Sequence, residues 1–401
     1  MTRIGLIREG KQPEDRRVPL TPKQAQWAEK EFGIKVVCQS SQIRGYSDKE
    51  YLEAGIEVVE DVSNCEVLLG VKEVPIEQLI DGKTYFFFSH TIKKQAYNRD
   101  LLKAILKQKI RLVDYECLRD KDGHRLIAFG RYAGIVGAYN AIWAYGQRYR
   151  LFDLRRARDC FDLEDVKSEF NKVRLPAIKI ALTGGGRVAK GAMEVLVGLG
   201  IRRVTPHVFL TEYFKEPVFC QLNSRDYHKH QNGTEFNRGT FFNHPVQYDS
   251  DFLKYARVAE ILIAGAFWSP KGPVLFDRQD ILRNDFDIKL IADITCDIEG
   301  SIPSTKQPSS IEDPLYDYNP SEDKVDLAFT DEANITVMAI DNLPGEIPRD
   351  SSEGFGQELL DDILPCLLGS DPDEVIGRAT IARDGKLTDL YNYLQNYVDG
   401  Q

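Results

Sequence analysis

The stretch IKIALTGGGRVAKGA (178–192) restricts this chain more than any other. An apolar run of strand length meets three consecutive glycines and then residues that suit a helix. Gly184, Gly186 and Ala189 match the spacing G-x-G-x-x-G/A, in which a strand passes through a tight turn into a helix. Gly184 suits the turn. Gly186 lets the backbone approach a pyrophosphate, and Ala189 lets the helix pack closely, a role Gly191 can share. Arg187 opens the helix, whose N-terminus offers N–H groups and a partial positive charge. The candidate ligand is therefore a dinucleotide; the alternative is a glycine-rich turn with no ligand. The acidic residue that normally holds the ribose about 20 residues further on is not evident. GIRRVTPHVFLTEYF offers only Glu212, placed late, while Arg202 and Arg203 suit either a 2′-phosphate or plain surface charge. NAD and NADP both remain open.

The rest of the chain alternates in the same way. RIGLIRE (3–9), KVVCQ (35–39), VLLGV (67–71), YFFFS (85–89) and RLVDY (111–115) read as strands. A helix begins at Thr21-Pro22 and stops at Gly33. Three of these runs lead into residues that carry or move protons: Lys72 and Glu73, His90, and Glu116. In an open α/β sheet the ligand crevice lies outside the carboxyl ends of the strands, so one sheet would aim an amine, an imidazole and two carboxylates at one place. A second series of strands is expected at 178–183, 217–222, 260–268, 288–297 and 334–341. Strands alternating with helices predict an α/β chain of two Rossmann-like, doubly wound domains with a cleft between them. The boundaries predicted are 1–132, completed by 342–401, for the substrate domain and 133–341 for the dinucleotide domain. The long helix at 131–152 leaves the first domain, and the charged stretch 154–178 is a connection. The polar segment 223–250, with its Asn, His and Phe residues, reads as an insertion or lid-like loop. The segments 351–369 and LTDLYNYLQNYVDG read as helices.

A length of 401 residues fits about two domains. The net charge of −10 argues against a general nucleic-acid or anionic-membrane surface. Seven scattered cysteines with no CxxC pair suit a reducing, cytoplasmic setting. No secretory signal and no membrane-spanning apolar run is expected. His207, His228, His230 and His244 lack matching carboxylates, so no metal is expected.

Several motifs together resemble a known group. RRVPLTP (16–22), VKEVP (71–75), FFFSHT (86–91) and DYECL (114–118) resemble segments shared with alanine dehydrogenase and transhydrogenase. FGRYAGIVGA (129–138) and AIDNLPGEIPRDSSEGFG (339–356) resemble the lysine-forming saccharopine dehydrogenases. FWSPKGPVLFDRQD (267–280) and ADITCDIEGSI (292–302) look like lysine–ketoglutarate reductase, of the same family. The resemblance implies hydride transfer, with NAD or NADP, coupled to imine formation or hydrolysis between lysine and 2-oxoglutarate, with saccharopine as the joined product. It also admits alanine dehydrogenase or another opine-type reductive amination. A different class, a nucleotide-binding regulatory protein with a dead site, is the third reading.

On the main reading Lys72 and His90 are the acid–base pair. A lysine serves near neutral pH only if its surroundings lower its pKa, whereas histidine titrates there unaided. Glu73 and Glu116 tune these groups and hold substrate ammonium. Arg17 forks a substrate carboxylate, with Arg16 as the neighbour that confuses the assignment. Arg131 is a candidate second carboxylate ligand. Asp341 either meets the nicotinamide side of the site or caps the DNLP turn. Trp268 and Asp293 join the cofactor set with Gly184, Gly186, Arg187 and Ala189, although a core role is the commoner reading for Trp268, as for Trp143. Small molecules are the expected partners, with neither nucleic acid nor membrane, and a homo-oligomer is left open.

Overall fold

In a computed structural model, which describes residues 1–400, the chain divides into two compact units. The first comprises Met1–Phe129 together with the segment from Pro348 onward, and the second is Gly130–Ile347.

The first unit contains β1 (Arg3–Leu6), α1 (Pro22–Phe32), β2 (Lys35–Gln39), β3 (Glu57–Val59), β4 (Val67–Leu69), β5 (Thr84–Phe87) and β6 (Arg111–Asp114). A capping box formed by Thr21 and Gln24, with Pro22 in the first turn, starts α1, and Gly33 in a left-handed conformation (φ 61°) ends it. The strands lie side by side in the order β3-β2-β1-β4-β5-β6, all parallel. Two C-terminal strands, Thr380–Arg383 and Lys386–Leu387, extend the β6 edge in antiparallel fashion. The strand order reverses between β1 and β4, which makes their carboxyl ends the switch point. Both faces are covered. Leu69, Phe86 and Val113 pack on one side, and Leu68, Tyr85 and Leu112 on the other. Strands buried on both faces have no polar alternation, which is why they read as unbroken apolar runs. The helix Pro348–Glu358 joins the first of these cores through Phe355. It also pins the loop before α1: Val18 N–H donates to Ser352 Oγ at 2.9 Å, and Gln24 Nε2 to the Glu353 carbonyl at 2.7 Å.

The second unit contains α2 (Gly130–Tyr149), β7 (Lys179–Thr183), α3 (Arg187–Gly198), β8 (Arg202–Arg203), β9 (Val218–Leu222), β10 (His228–His230), β11 (Tyr248–Ser250), β12 (Ile261–Ala264), β13 (Leu290–Asp293), β14 (Tyr316–Asn319), β15 (Lys324–Leu327) and β16 (Ile335–Met338). Its main sheet runs β8-β9-β7-β12-β13-β16-β14-β15, parallel through β16 and antiparallel beyond it. Here the order reverses between β7 and β12. Packing of α2 on α3 brings backbone against backbone. A Cβ on Gly134 would lie 1.9 Å from the Val188 carbonyl oxygen, and one on Gly191 1.9 Å from that of Arg131. The glycines of FGRYAGIVGA and of the turn motif thus have a packing reason.

Some elements differ from expectation. The run 260–268 is a strand only over Ile261–Ala264, with the Gly265 N–H to the Thr183 carbonyl at 3.1 Å as its last ladder bond. The connection at 154–178 holds a short helix, Leu163–Ser168. The segment 223–250 is an ordered excursion: the β10–β11 hairpin encloses a short helix, Arg238–Asn243. No helix among the described residues is long and apolar enough to cross a membrane.

Candidate active site

The register of the first sheet sets strand ends level. Leu6 pairs with Leu69, Leu69 with Phe86, and Phe87 with Asp114. The residues just beyond one strand therefore meet those beyond the next: Glu9 after β1, Lys72 and Glu73 after β4, His90 after β5, Asp114 and Glu116 at the end of β6.

His90 adopts a left-handed backbone conformation (φ 53°, ψ 10°), unusual for a residue with a side chain and frequent where function fixes the geometry. Its Nδ1 lies 2.6 Å from Glu73 Oε1, and Glu73 Oε2 accepts from Lys11 Nζ at 2.6 Å. Burial works against the Glu73 charge, but the His90 ring and the Lys11 ammonium outweigh it and lower the carboxyl to about 2. Glu73 is thus an acceptor across the working range. The proton on the His90 ring sits on Nδ1, and Nε2 is the atom left for proton traffic.

Arg17 is buried, whereas Arg16 is exposed and donates to the Ile43 carbonyl. That separates the two. The Arg17 guanidinium is held by Asp15, with Nε at 2.9 Å from Oδ1 and Nη2 at 2.5 Å from Oδ2, and it stacks 4.1 Å above the Phe129 ring. Burial would raise the Asp15 carboxyl, but Arg17 and then Lys72 pull it well below the usual carboxylate range. A substrate carboxylate on Arg17 would share the guanidinium with Asp15. Lys72 is half-buried, and its N–H donates to Glu9 Oε2 at 2.8 Å, while Val71 N–H donates to Glu9 Oε1 at 2.7 Å.

Burial, and then the neighbouring Asp15 charge, raise the Glu9 carboxyl to about 8 against the opposing pull of those two N–H groups and of Arg17. A carboxyl raised in the folded state adds stability that is complete below its unfolded value of 4.5 and is lost as pH climbs through about 8. Glu9→Gln removes that titration. Urea unfolding should show the variant gaining on the parent between pH 4.5 and 8; a constant difference across that window would contradict the assignment.

Asp114 is fully buried. It accepts from the Ser89 N–H at 3.1 Å, from the Ser89 hydroxyl, and from the Glu116 N–H at 2.7 Å. This network locks the turn that carries His90 to the turn that carries Glu116. Burial raises Asp114. Glu116 itself is poorly satisfied. Its buried Oε2 has no hydrogen-bond partner among the described residues, and its nearest cations are Lys93 at 3.7 Å and Arg125 at 3.8 Å.

The other expected residues lie in the second unit. The guanidinium of Arg131, in the first turn of α2, is forked by Glu194 on α3 at 2.7 and 2.6 Å. Asp341 is exposed in the turn after β16; with burial as the larger cause, its charge helps push the Cys296 thiol up to about 12. Asp293, at the end of β13, is buried and accepts from the hydroxyls of Thr295 at 2.6 Å and Thr305 at 2.7 Å, closing its own loop. Trp268 is half-buried, and its Nε1 donates to the Pro273 carbonyl at 3.1 Å. Gly184 has φ 105°, and a Cβ there would lie 2.8 Å from the Gly265 carbonyl oxygen. A Cβ on Gly186 would meet nothing within 4 Å, no side chain caps α3, and Ala189 is buried under it while Arg187 is exposed. An uncapped helix start beside an open glycine backbone fits a pyrophosphate. An exposed turn also groups Asp120, Asp122 and His124. Asp120 Oδ1 accepts the N–H of both others, as in an ordinary turn.

The model for the N-terminal domain of alanine dehydrogenase/PNT matches residues 5–136. Alpha-aminoadipic semialdehyde synthase of Mus musculus is 33% identical over 98% of this chain and 47% of its own length. The NAD(+), L-lysine-forming saccharopine dehydrogenase of Yarrowia lipolytica is 25% identical over 89% of this chain and 90% of its own. Over nearly its whole length the chain is similar to saccharopine dehydrogenases and to alpha-aminoadipic semialdehyde synthases. It spans about half the length of the mouse protein, 47%. Among solved structures, L-alanine dehydrogenase shares the fold across 100% of this chain and 99% of its own, with a TM-score of 0.63 at 16% identity.

The sequence reading missed Glu9, Lys11, Asp15 and Asp114 as parts of the constellation. A signal existed for Glu9: RIGLIRE is also an apolar run that ends on a proton carrier. Asp114 stands inside the DYECL motif, where it reads only as the end of a strand. For Lys11 and Asp15, in a charged loop, the sequence carries no such signal.

Proposed function

We propose that the chain is an NAD(P)-dependent oxidoreductase of the saccharopine dehydrogenase type, in which hydride transfer is coupled to making or breaking the imine between lysine and 2-oxoglutarate. The observation that carries this reading is the cluster after β1, β4, β5 and β6: Lys72, a tautomer-fixed histidine and a buried arginine among five acidic side chains. A bound nicotinamide would supply the hydride chemistry. Everything else falls to the chain. In the joining direction, Lys72 takes the proton from the ε-ammonium of the substrate, so that the free amine can attack the keto carbon of 2-oxoglutarate. His90 Nε2, having first taken up a proton from the surroundings, passes it to the departing hydroxyl, so that water leaves and the imine forms. In the splitting direction the same ring nitrogen removes a proton from the attacking water. Glu116, with its under-satisfied oxygen, offers an acceptor for substrate ammonium, and Arg17 takes a carboxylate. The test is oxidation of reduced nicotinamide, followed by its absorbance, with 2-oxoglutarate in the presence and absence of lysine. Activity with ammonia and pyruvate instead would favour alanine dehydrogenase. Dinucleotide binding without turnover on any amine and oxoacid would favour a dead regulatory protein.

The cofactor we infer is the 2′-phosphorylated form. The strand beside β7 is β9, not the earlier β8, so the ribose position falls near Gln221 and Asn223. Neither is acidic. Gln221 Nε2 donates to the Gly184 carbonyl at 2.7 Å, and Arg203 Nη2 donates to Gln221 Oε1 at 2.7 Å. An arginine where NAD enzymes keep a carboxylate suits a phosphate. Arg203→Gln should cut kcat/KM for NADPH about 10- to 100-fold, the worth of one charge-assisted bond, with little change for NADH. Equal losses with both cofactors would remove this reading.

A further inference from the structure

A cavity of about 240 Å³ opens in the first unit at the carboxyl ends of β1 and β2. Arg8, just after β1, and Gln39, the last residue of β2, stand in its wall with Val74, which follows β4, and Tyr85 of β5. None of the residues of the proton-handling cluster lines it, and the reaction proposed above makes no use of it. It is concave and lined by apolar side chains with a few polar groups among them, the usual make-up of a small-molecule site.

We propose that this cavity is a second ligand site, for a monocarboxylate with a short aliphatic body, sharing its wall with the turn that carries Glu73. Unspent donors are the first support. Tyr85 is 1% exposed, and its hydroxyl oxygen accepts the Ile80 N–H at 2.9 Å, but its own proton has no acceptor among the described residues. Burial pushes the phenol up to about 12, so it keeps that proton to donate. Arg8 uses only Nη1, which donates to the Ser40 carbonyl at 3.4 Å and to Glu60 Oε2 at 3.2 Å. Its Nε–Nη2 edge, which can fork a carboxylate, has no partner among the described residues. The balance of the wall is the second support. Ile7, Val62, Val74 and Ile80 are aliphatic, Arg8 is the single charged residue, and no carboxylate or lysine lines the space. One carboxylate is therefore matched, whereas a second would be left against apolar side chains. The third is preorganisation. Gln39 Oε1 accepts the Arg8 N–H at 3.2 Å, and its Nε2 donates to the Glu60 carbonyl at 3.1 Å, which ties the ends of β1 and β2 together before a ligand arrives. The place gives the site a consequence. Val74 directly follows Glu73, and the Gln78 amide, also in the wall, lies against Gly10, where a Cβ would come within 2.5 Å of its Oε1. Gly10 stands between Glu9 and Lys11. A ligand here presses on both chain segments that meet in the Lys11–Glu73 ion pair, and Glu73 is what fixes the His90 ring. Occupancy therefore shifts the titration of His90.

The test is a saturation-transfer NMR titration of the full chain with isovalerate, with its uncharged amide, and with L-leucine, which carries the same branched body and adds an ammonium. Three variants are compared, each checked by a thermal melt. Arg8→Gln alters an exposed side chain, Tyr85→Phe removes the buried hydroxyl, and Arg17→Met removes the other arginine that could take a carboxylate. The expected result is saturable binding of isovalerate, with the amide at least about tenfold weaker. Arg8→Gln and Tyr85→Phe should each weaken isovalerate about tenfold, the worth of one charge-assisted hydrogen bond, and Arg17→Met should leave it unchanged. Leucine binding as tightly as isovalerate supports the site and assigns aliphatic amino acids to it; leucine excluded while isovalerate binds supports it for simple acids. In the parent, the pH titration of the His90 ring signal should move when isovalerate saturates the chain, and it should stay in place in Arg8→Gln. No saturable binding of either carboxylate overturns the proposal. So does isovalerate binding that survives Arg8→Gln or that disappears in Arg17→Met, which would move the ligand to the proton-handling cluster. Binding that leaves the His90 titration where it was overturns the coupling.

Discussion

On the proposed reading, replacing Lys72 with Met should lower lysine-dependent turnover by about 10²- to 10⁴-fold, the usual worth of a positioned acid–base group. Methionine keeps the length and the aliphatic stem of lysine and removes only the nitrogen, so the loss reports proton transfer rather than packing. The main-chain N–H of residue 72, which donates to Glu9, is unaffected by the substitution. The defect should lie in kcat and kcat/KM together, because the group acts after substrate binds. A small primary amine added to the solution should restore part of the rate, and more of it as pH rises and the free-base fraction grows. A variant that keeps more than a tenth of the activity, or that no amine rescues, would take the acid–base role away from this residue.

Asp15→Ala should destabilise the protein by about 3–5 kcal/mol, because it strands a buried guanidinium. Asp15 is 2% exposed and Arg17 3% exposed, and the pair is closed by two side-chain hydrogen bonds. The lost ion pair is the smaller part of the cost. The larger part is the loss of the carboxylate that balances a buried charge stacked on Phe129. The double variant Asp15→Ala, Arg17→Met should therefore recover much of the stability while losing affinity for 2-oxoglutarate. Urea unfolding of the two variants measures this directly. A single variant within 1 kcal/mol of the parent, a small part of the range expected for a broken buried pair, would mean that water or another group satisfies Arg17. The sign with pH is also fixed. Asp15 is held below its unfolded value, so its contribution is present above that value of 3.8 and is lost on acidification.

The parts of the fold that were readable in the sequence are those where one physical demand dominates. A strand buried on both faces must be apolar throughout, so β4, β5 and β6 announced themselves. The residue after each was conspicuous because the run stopped on it. The glycine turn was readable because Gly184 needs positive φ and Gly134 and Gly191 must admit a neighbouring backbone. The antiparallel edge strands were not readable. YDYN in β14 and KVDL in β15 carry the composition of a loop, and only pairing with β16 makes them sheet. Asp15 failed to stand out for a related reason. In EDRR it looks like one more solvated charge, and it becomes special only once the chain folds Arg17 over Phe129. The ribose position was sought by counting along the sequence. In space, the later strand β9 lies beside β7 and pushes β8 to the edge, so on the proposed reading Gln221 and not Glu212 stands there.

The first unit is interrupted by the whole of the second and is finished only by the segment from Pro348 onward. During synthesis the second unit is a continuous stretch and can fold as soon as it has left the ribosome. The first cannot. Until Ser352 and Phe355 have been made, the loop bearing Arg17 lacks its anchor, and the edge strand at 380–383 is missing from beside β6. The chain therefore completes the second unit before the first, and a polypeptide stalled midway would carry a finished second unit and an unfinished, aggregation-prone parallel sheet.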